Sequence, residues 1–205
     1  MKIGLITEGA KDGADQAVCR HLIMLMKLPA VEVMCRPLGS LPDLKSDCGN
    51  TAALMLQEGC DQIVIIWDLY PGWRTDGKRP CLHEHREAIL ASLTEAKVNS
   101  SRVELVCIEE ELEAWLLADH RALTRFIESK PVRENVRIGQ QRQPEHIDKP
   151  KTRLDNLLRK YWGRPYTDRV HARLIVEQLE NLDYIRRSTT FQRFEERVRR
   201  GNRYL

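Results

Sequence analysis

The stretch IVIIWDLYPGWRTDG, Ile63 to Gly77, decides the fold. From Ile63 to Trp67 it is apolar without a break, so the strand it predicts has no polar face and must be covered on both sides, as strands of parallel sheets are. The run then gives its last position to one carboxylate, Asp68, and breaks at Pro71 and Gly72. Such an acid is carried to the carboxyl edge of the sheet, where open α/β folds place their ligands.

Working outward, Ile3 to Thr7 reads as a strand that ends in the turn signal Glu8-Gly9. Ala17, Val18, His21, Leu22, Met24, Leu25 and Leu28 recur at helical spacing from about Asp12 until Pro29, and Val31 to Arg36 is a second strand. LGSLPDLKSDCGN, Leu38 to Asn50, has the composition of a loop before a short helix, TAALMLQEG, that closes on Gly59. Asp61 to Trp67 is the third strand. A helix over Leu82 to Lys97 leads to a strand at Val103 to Ile108, which runs into a helix over Glu109 to Asp119. This alternation predicts an α/β layered fold with a mostly parallel central sheet flanked by helices. Beyond His120 the pattern changes to a Pro-, Arg- and Gln-rich loop, Glu128 to Pro150, and helices near Lys151–Tyr161, Asp168–Leu182 and Thr189–Arg199. Phe191, Phe194 and Val198 share one face of the last helix and belong to a core, with Ser188 or Thr189 as its cap. The expected division is an α/β domain over 1–119 and a basic, mainly helical extension over 120–205 packed on it.

The charges divide at the same place. Through Asp119 there are 12 Lys and Arg against 19 Asp and Glu, a net of −7; from His120 onward there are 21 against 11, a net of +10. A basic part beside an acidic one suits a polyanionic partner, although solvated helix faces also carry such charge. Six cysteines lie scattered without a C-x-x-C pair, which points to reduced structural thiols. Cys81, His83 and His85 in CLHEH form a local cluster that lacks a second half at zinc spacing. No apolar run approaches the roughly 20 residues that cross a bilayer, and the chain opens on strand-like KIGLIT rather than a signal segment, so a cytoplasmic protein is expected.

Three strand ends carry acid: Glu8 with Asp12 and Asp15 beyond it, Asp68, and Glu109, Glu110, Glu111 and Glu113. Taken singly, each has an ordinary explanation, since acids at helix N-termini complement the macrodipole and Glu-Gly can be a mere turn. Together at one sheet edge they would repel, and a hard divalent cation, Mg²⁺ or Mn²⁺, relieves that repulsion. No G-x-x-x-x-G-K-[ST] or G-x-G-x-x-G cradle and no G-x-S-x-G elbow is present, which argues against nucleotide-cradle and acyl-transfer chemistry. Arg186, Arg187, Arg193, Arg197, Arg199, Arg200 and Arg203, with Tyr161, Trp162, Tyr166 and Tyr204, could form a stacking, charge-tracking surface for nucleic acid.

Glu-Gly after strand one, Asp after strand three and an acidic cluster after strand four resemble the TOPRIM fold of topoisomerases, primases and OLD-type nucleases. TEGAKD, IIWD, EELEAWLLAD, DKPKTRL and STTFQRF resemble a bacterial, TOPRIM-related family, domain of unknown function 4276, over nearly the whole chain. The resemblance implies metal-dependent, nuclease-like phosphodiester chemistry with Mg²⁺ or Mn²⁺. Glu8 would act as general acid or base, Asp68 and Glu111 would hold the metal with Glu8 and Asp12 as further ligands, and Lys149 and Lys151 would contact phosphate. Arg193, Arg197 and Arg200 are the remaining nucleic-acid contacts expected, and an AAA or ABC-type ATPase in bacterial defence is the expected protein partner. TOPRIM enzymes usually carry Asp-x-Asp after strand three, where this chain has Asp68-Leu69-Tyr70, so Asp76, Glu109 or Glu111 would have to substitute. That departure keeps a catalytically silent TOPRIM-like binding protein as the alternative. A receiver-like signalling domain is the weaker rival, because strand one ends in one acid rather than a pair.

Overall fold

Four short strands sort their side chains to two sides of one sheet. Along β3 (Gln62–Asp68), Val64 and Ile66 join one hydrophobic cluster, while Ile63, Ile65 and Trp67 join another. This is the period of two that a strand covered on both faces must show. β1 (Lys2–Thr7), β2 (Glu32–Pro37) and β4 (Val103–Ile108) complete a sheet of order β2-β1-β3-β4, parallel at every pairing. This computed structural model describes residues 1–69 and 81–201. Tyr70, Pro71, Gly72, Asp76, Arg203 and Tyr204, all used in the sequence argument, lie outside the described residues.

One face of the sheet is covered by α2 (Leu41–Gln57) and α3 (Leu82–Glu95). The other carries α1 (Ala14–Leu25), α4 (Glu113–Ala118), α5 (His120–Glu128), α6 (Pro150–Tyr161), α7 (Asp168–Val176) and α8 (Thr189–Arg200). The protein therefore has a mixed α/β fold with a four-stranded parallel central sheet flanked by helices. Trp115, Phe126, Phe191 and Phe194 are fully buried in the second layer, with the Trp115 ring 5.5 Å from each of Phe191 and Phe194. Aromatic side chains of this size dominate the energetics of a core. The C-terminal helices thus share a single hydrophobic cluster with β1, β3 and β4.

Besides α4, which begins at Glu113 rather than Glu109, three elements depart from expectation. Leu38 to Asn50 is not a loop: α2 begins at Leu41, where the Ser40 hydroxyl accepts from the Asp43 N–H and the Asp43 carboxylate accepts from the Ser40 N–H. Ser, Pro and Asp had the composition of a loop and were in fact a capping box with Pro in the first turn. α5 was not expected, and it starts because Asp119 accepts from the N–H groups of Arg121 and Ala122 at 2.9 and 3.0 Å. α7 stops at Val176 rather than Leu182; Leu179 and Leu182 remain buried, so the apolar spacing outlasts the helix.

Candidate functional site

The chain leaves β1 toward β2 on one side and returns to β3 on the other. The sheet's order therefore reverses between β1 and β3, which is where an open α/β sheet forms a crevice at its carboxyl edge. Glu8 follows β1, Asp68 ends β3, and the Asp68 N–H donates to Glu8 Oε1 at 3.1 Å. They open into a cleft of about 580 Å³, into which Asp15, Glu111, Glu113 and Asp168 also reach.

Each arrives for a local reason. Asp15 stands in the first turn of α1, where a carboxylate complements the helix dipole. Its oxygen lies so near the Gly9 backbone, at φ +87, that a Cβ on Gly9 would come within 3.1 Å of it. Gly9 thus supplies both the left-handed turn and the room for the acid. In the helix expected over Glu109 to Asp119, Glu111 would share a face with Trp115, four residues on, and Glu113 would point elsewhere. The helix begins only at Glu113, so Glu111 belongs to the preceding turn and both acids line the cleft. Trp115 points into the core, where its Nε1 donates to Thr190 at 2.8 Å.

The opposite wall comes from the C-terminal helices. The Lys151 N–H donates to Glu111 Oε2 at 3.0 Å, and its Nζ donates to Asp168 at 2.6 Å. DKPK therefore starts α6 at Pro150 and places Lys151 over the acids. STTF serves the scaffold: Ser188 caps α8, and Ser188 and the Thr190 N–H both donate to Glu145.

Electrostatics set this cleft apart. Burial pushes Glu8 up to about 7, against the pull of the Asp68 N–H and of Lys45. Burial and then the neighbouring carboxylates Glu8 and Asp168 raise Asp15 to about 7. Burial likewise raises Glu113 to about 7, opposed by Lys151 and aided by Glu111. Asp68 is pushed well above the carboxylate range by burial and by Asp15, Glu8, Glu113 and Glu111. Burial also acts on Asp168, but the hydrogen bond from Lys151 and the Arg169 N–H hold it below the usual value.

The other expected residues lie elsewhere. Asp12, in a left-handed conformation at φ 60, is exposed and lines a neighbouring groove; Asp15, one turn on, takes the place expected for it in the cleft. Lys149 is the exposed N-cap of α6 and is not among the residues lining the cleft. α8 runs along β4 away from the cleft, so its arginines meet carboxylates of the same chain. Arg193 is 3.8 Å from Glu109, while Arg197 and Arg200 reach Glu104 near the start of β4, at the far end of the sheet. His83, of the CLHEH cluster, is 3.1 Å from Glu87. Sequence reasoning counted Asp15 and Glu113 among the strand-end acids without making them ligands, and it left Asp168 out, for which the sequence carried no signal.

The cleft's acids are all-oxygen donors, the chemistry that suits a hard divalent cation. Among the described residues, however, no three of His, Cys, Asp and Glu already form a set able to hold a metal ion. Glu8 and Glu111 each engage one oxygen with a backbone N–H. Also among the described residues, no helix is long and apolar enough to cross a membrane.

Comparison with curated proteins and with solved structures gave no match. One family model does match, over residues 15–199, a span that takes in Asp15, Asp68, Glu111, Glu113, Lys151 and Asp168 and leaves β1 and Glu8 outside. On that match the chain belongs to the family described as domain of unknown function (DUF4276).

Proposed function

We propose that the cleft performs metal-dependent hydrolysis of phosphodiester bonds in nucleic acid, on a TOPRIM-like scaffold. The observation that carries this reading is the gathering of Glu8, Asp15, Asp68, Glu111 and Glu113 in one cleft beside Lys151, with several of them held partly protonated. Acids that cannot all ionise together weaken a fold, so their value lies in what they can bind.

Asp68, with Asp15 and Glu111, would hold Mg²⁺ or Mn²⁺, and Glu8 and Glu113 stand beside them. The bound ion would supply neutralisation of phosphate charge and a more acidic water. Glu8, with one oxygen fixed by the Asp68 N–H and a pKa near neutrality, is suited to take the proton from the attacking water. Lys151 would exchange its bond to Asp168 for a non-bridging phosphate oxygen, orienting the scissile group. A reducing, cytoplasmic setting suits six free cysteines, four of them buried. An ATPase partner in bacterial defence remains an expectation of the resemblance.

The test is cleavage of end-labelled single-stranded, duplex and nicked DNA and RNA with Mg²⁺, Mn²⁺ or EDTA, together with calorimetric titration of each metal. Metal-dependent products that disappear in Glu8→Gln support the reading. No binding of either cation and no cleavage would end it. A second reading, a catalytically silent protein that binds an ATPase or nucleic acid, is favoured by the lack of a ready three-ligand set among the described residues. It predicts partner binding that Glu8→Gln leaves unchanged.

A further inference from the structure

Beside the acidic cleft, α1 and α7 enclose a second groove of about 700 Å³, and the two cavities share Gly13 and Arg169. The sign of the charge changes between them. Arg20, Arg169 and Arg173 line the groove, against Asp12 and Glu177. Glu177 is taken up by Arg173 at 2.8 Å, and burial lowers the pKa of His21, leaving it neutral at pH 7. Arg20 and Arg169 form no salt bridge to a carboxylate among the described residues, whereas the α8 arginines are matched to Glu104, Glu109, Glu195 and Glu196. The groove's flank is apolar and open, with Met24 67% and Val170 52% exposed, and among the described residues no aromatic other than His21 lines it.

We infer that this groove carries the phosphodiester backbone flanking the bond held in the cleft, with Arg20 and Arg169 as its phosphate contacts and Met24 and Val170 against its sugars. The inference rests on the nucleic-acid reading of the cleft and specifies which surface tracks the strand. A phosphate chain is repelled by the cleft's acids except at the one phosphate a cation accommodates. Its neighbours need guanidinium groups that are not already engaged, and Arg169 stands where the two cavities meet. Without aromatic platforms, binding here is through the backbone and independent of sequence.

The experiment is fluorescence anisotropy of the full chain with a labelled mixed-sequence 12-mer, as DNA and as RNA, in EDTA and over a range of salt. Arg20→Gln/Arg169→Gln is compared with Arg86→Gln, an exposed arginine of α3 on the other face of the sheet. The expected result is a loss of roughly tenfold in affinity at low salt, with the salt slope falling by about 1.4 for two lost single-strand contacts, and no change for Arg86→Gln. If wild type binds and the double variant binds equally well, or no worse than Arg86→Gln, the groove assignment is overturned while the cleft reading stands. If wild type binds neither oligonucleotide, the groove assignment is overturned as well, and the cleft reading is decided by the cation titration and the cleavage assay. Circular dichroism of the double variant checks that it is folded, and the single variants, each with a slope change of about 0.7, serve if it is not.

Discussion

At Glu8 and Asp68 two carboxylates meet across one backbone hydrogen bond, and burial disfavours the charged form of both. Asp68→Asn keeps the shape and removes a charge, so without divalent cations at pH 8 the variant should melt higher than wild type, by roughly 2–4 °C for each kcal/mol of repulsion relieved. On the proposed function, the same variant should lose cleavage in the end-labelled assay and most of the melting shift expected of wild type with Mg²⁺, read by scanning calorimetry with and without the cation. The pH dependence follows from the same groups. Glu8 and Glu113 ionise near 4.5 in the unfolded chain and about 7 in the fold, and Asp15 moves from 3.8 to about 7. Between those limits the folded state binds more protons, so stability present below about 4.5 is lost as pH rises through about 7. The lowered groups, Asp168, Glu145 and Glu195, act in the opposite sense only below their ordinary values. Thermal melts in EDTA should therefore fall by at least about 4 °C between pH 5 and pH 8, and Mg²⁺ at pH 8 should restore the difference. A flat profile would mean that these acids titrate normally. Glu8 and Asp68 were legible because a strand end fixes where its last side chain emerges. Asp15 and Asp12 were not separable, because the left-handed turn at Asp12 that decides between them has no signature in composition.

Helix starts are where the elements were hardest to read. Ser40 and Asp119 are both N-caps, but one stood in a stretch rich in Gly, Pro and Asp, and the other at the end of an apolar run that continues straight into α5. β3 was plain because five apolar residues in succession can be buried on both faces in only a few ways. Asp119 is 1% exposed and satisfies two N–H groups, so Asp119→Ala should cost about 1–2 kcal/mol, read as a lower urea midpoint with an unchanged slope. Ser40→Ala, at an exposed capping box, should cost about 1 kcal/mol or less. Arginines on α8 were expected to contact nucleic acid, and a sequence shows charges without their partners; the path of the helix along β4 is what brings Glu104 and Glu109 to meet them.

Over the whole molecule, the charge changes sign at residue 120, where an extension packed on the α/β part was expected, and one hydrophobic cluster takes in residues from both sides of that point. Trp115 packs on Phe191 and Phe194, and Leu116, Phe126, Leu154 and Ile175 share the same layer with Val64 and Ile66. A chain of residues 1–119 would expose that face of the sheet. It should show weak near-ultraviolet dichroism and bind a hydrophobic dye, while the full chain does neither. A cooperative melt from the fragment would show that the first 119 residues fold without the extension. The cleft has the same construction, with its acids mostly from the first 113 residues and Lys151 and Asp168 from the helices that follow. During translation, then, a ribosome releases the carboxylates well before the lysine that faces them. A nascent chain holds an unfinished pocket until α6 and α7 have emerged and docked, so the cleft is completed late in synthesis and all at once.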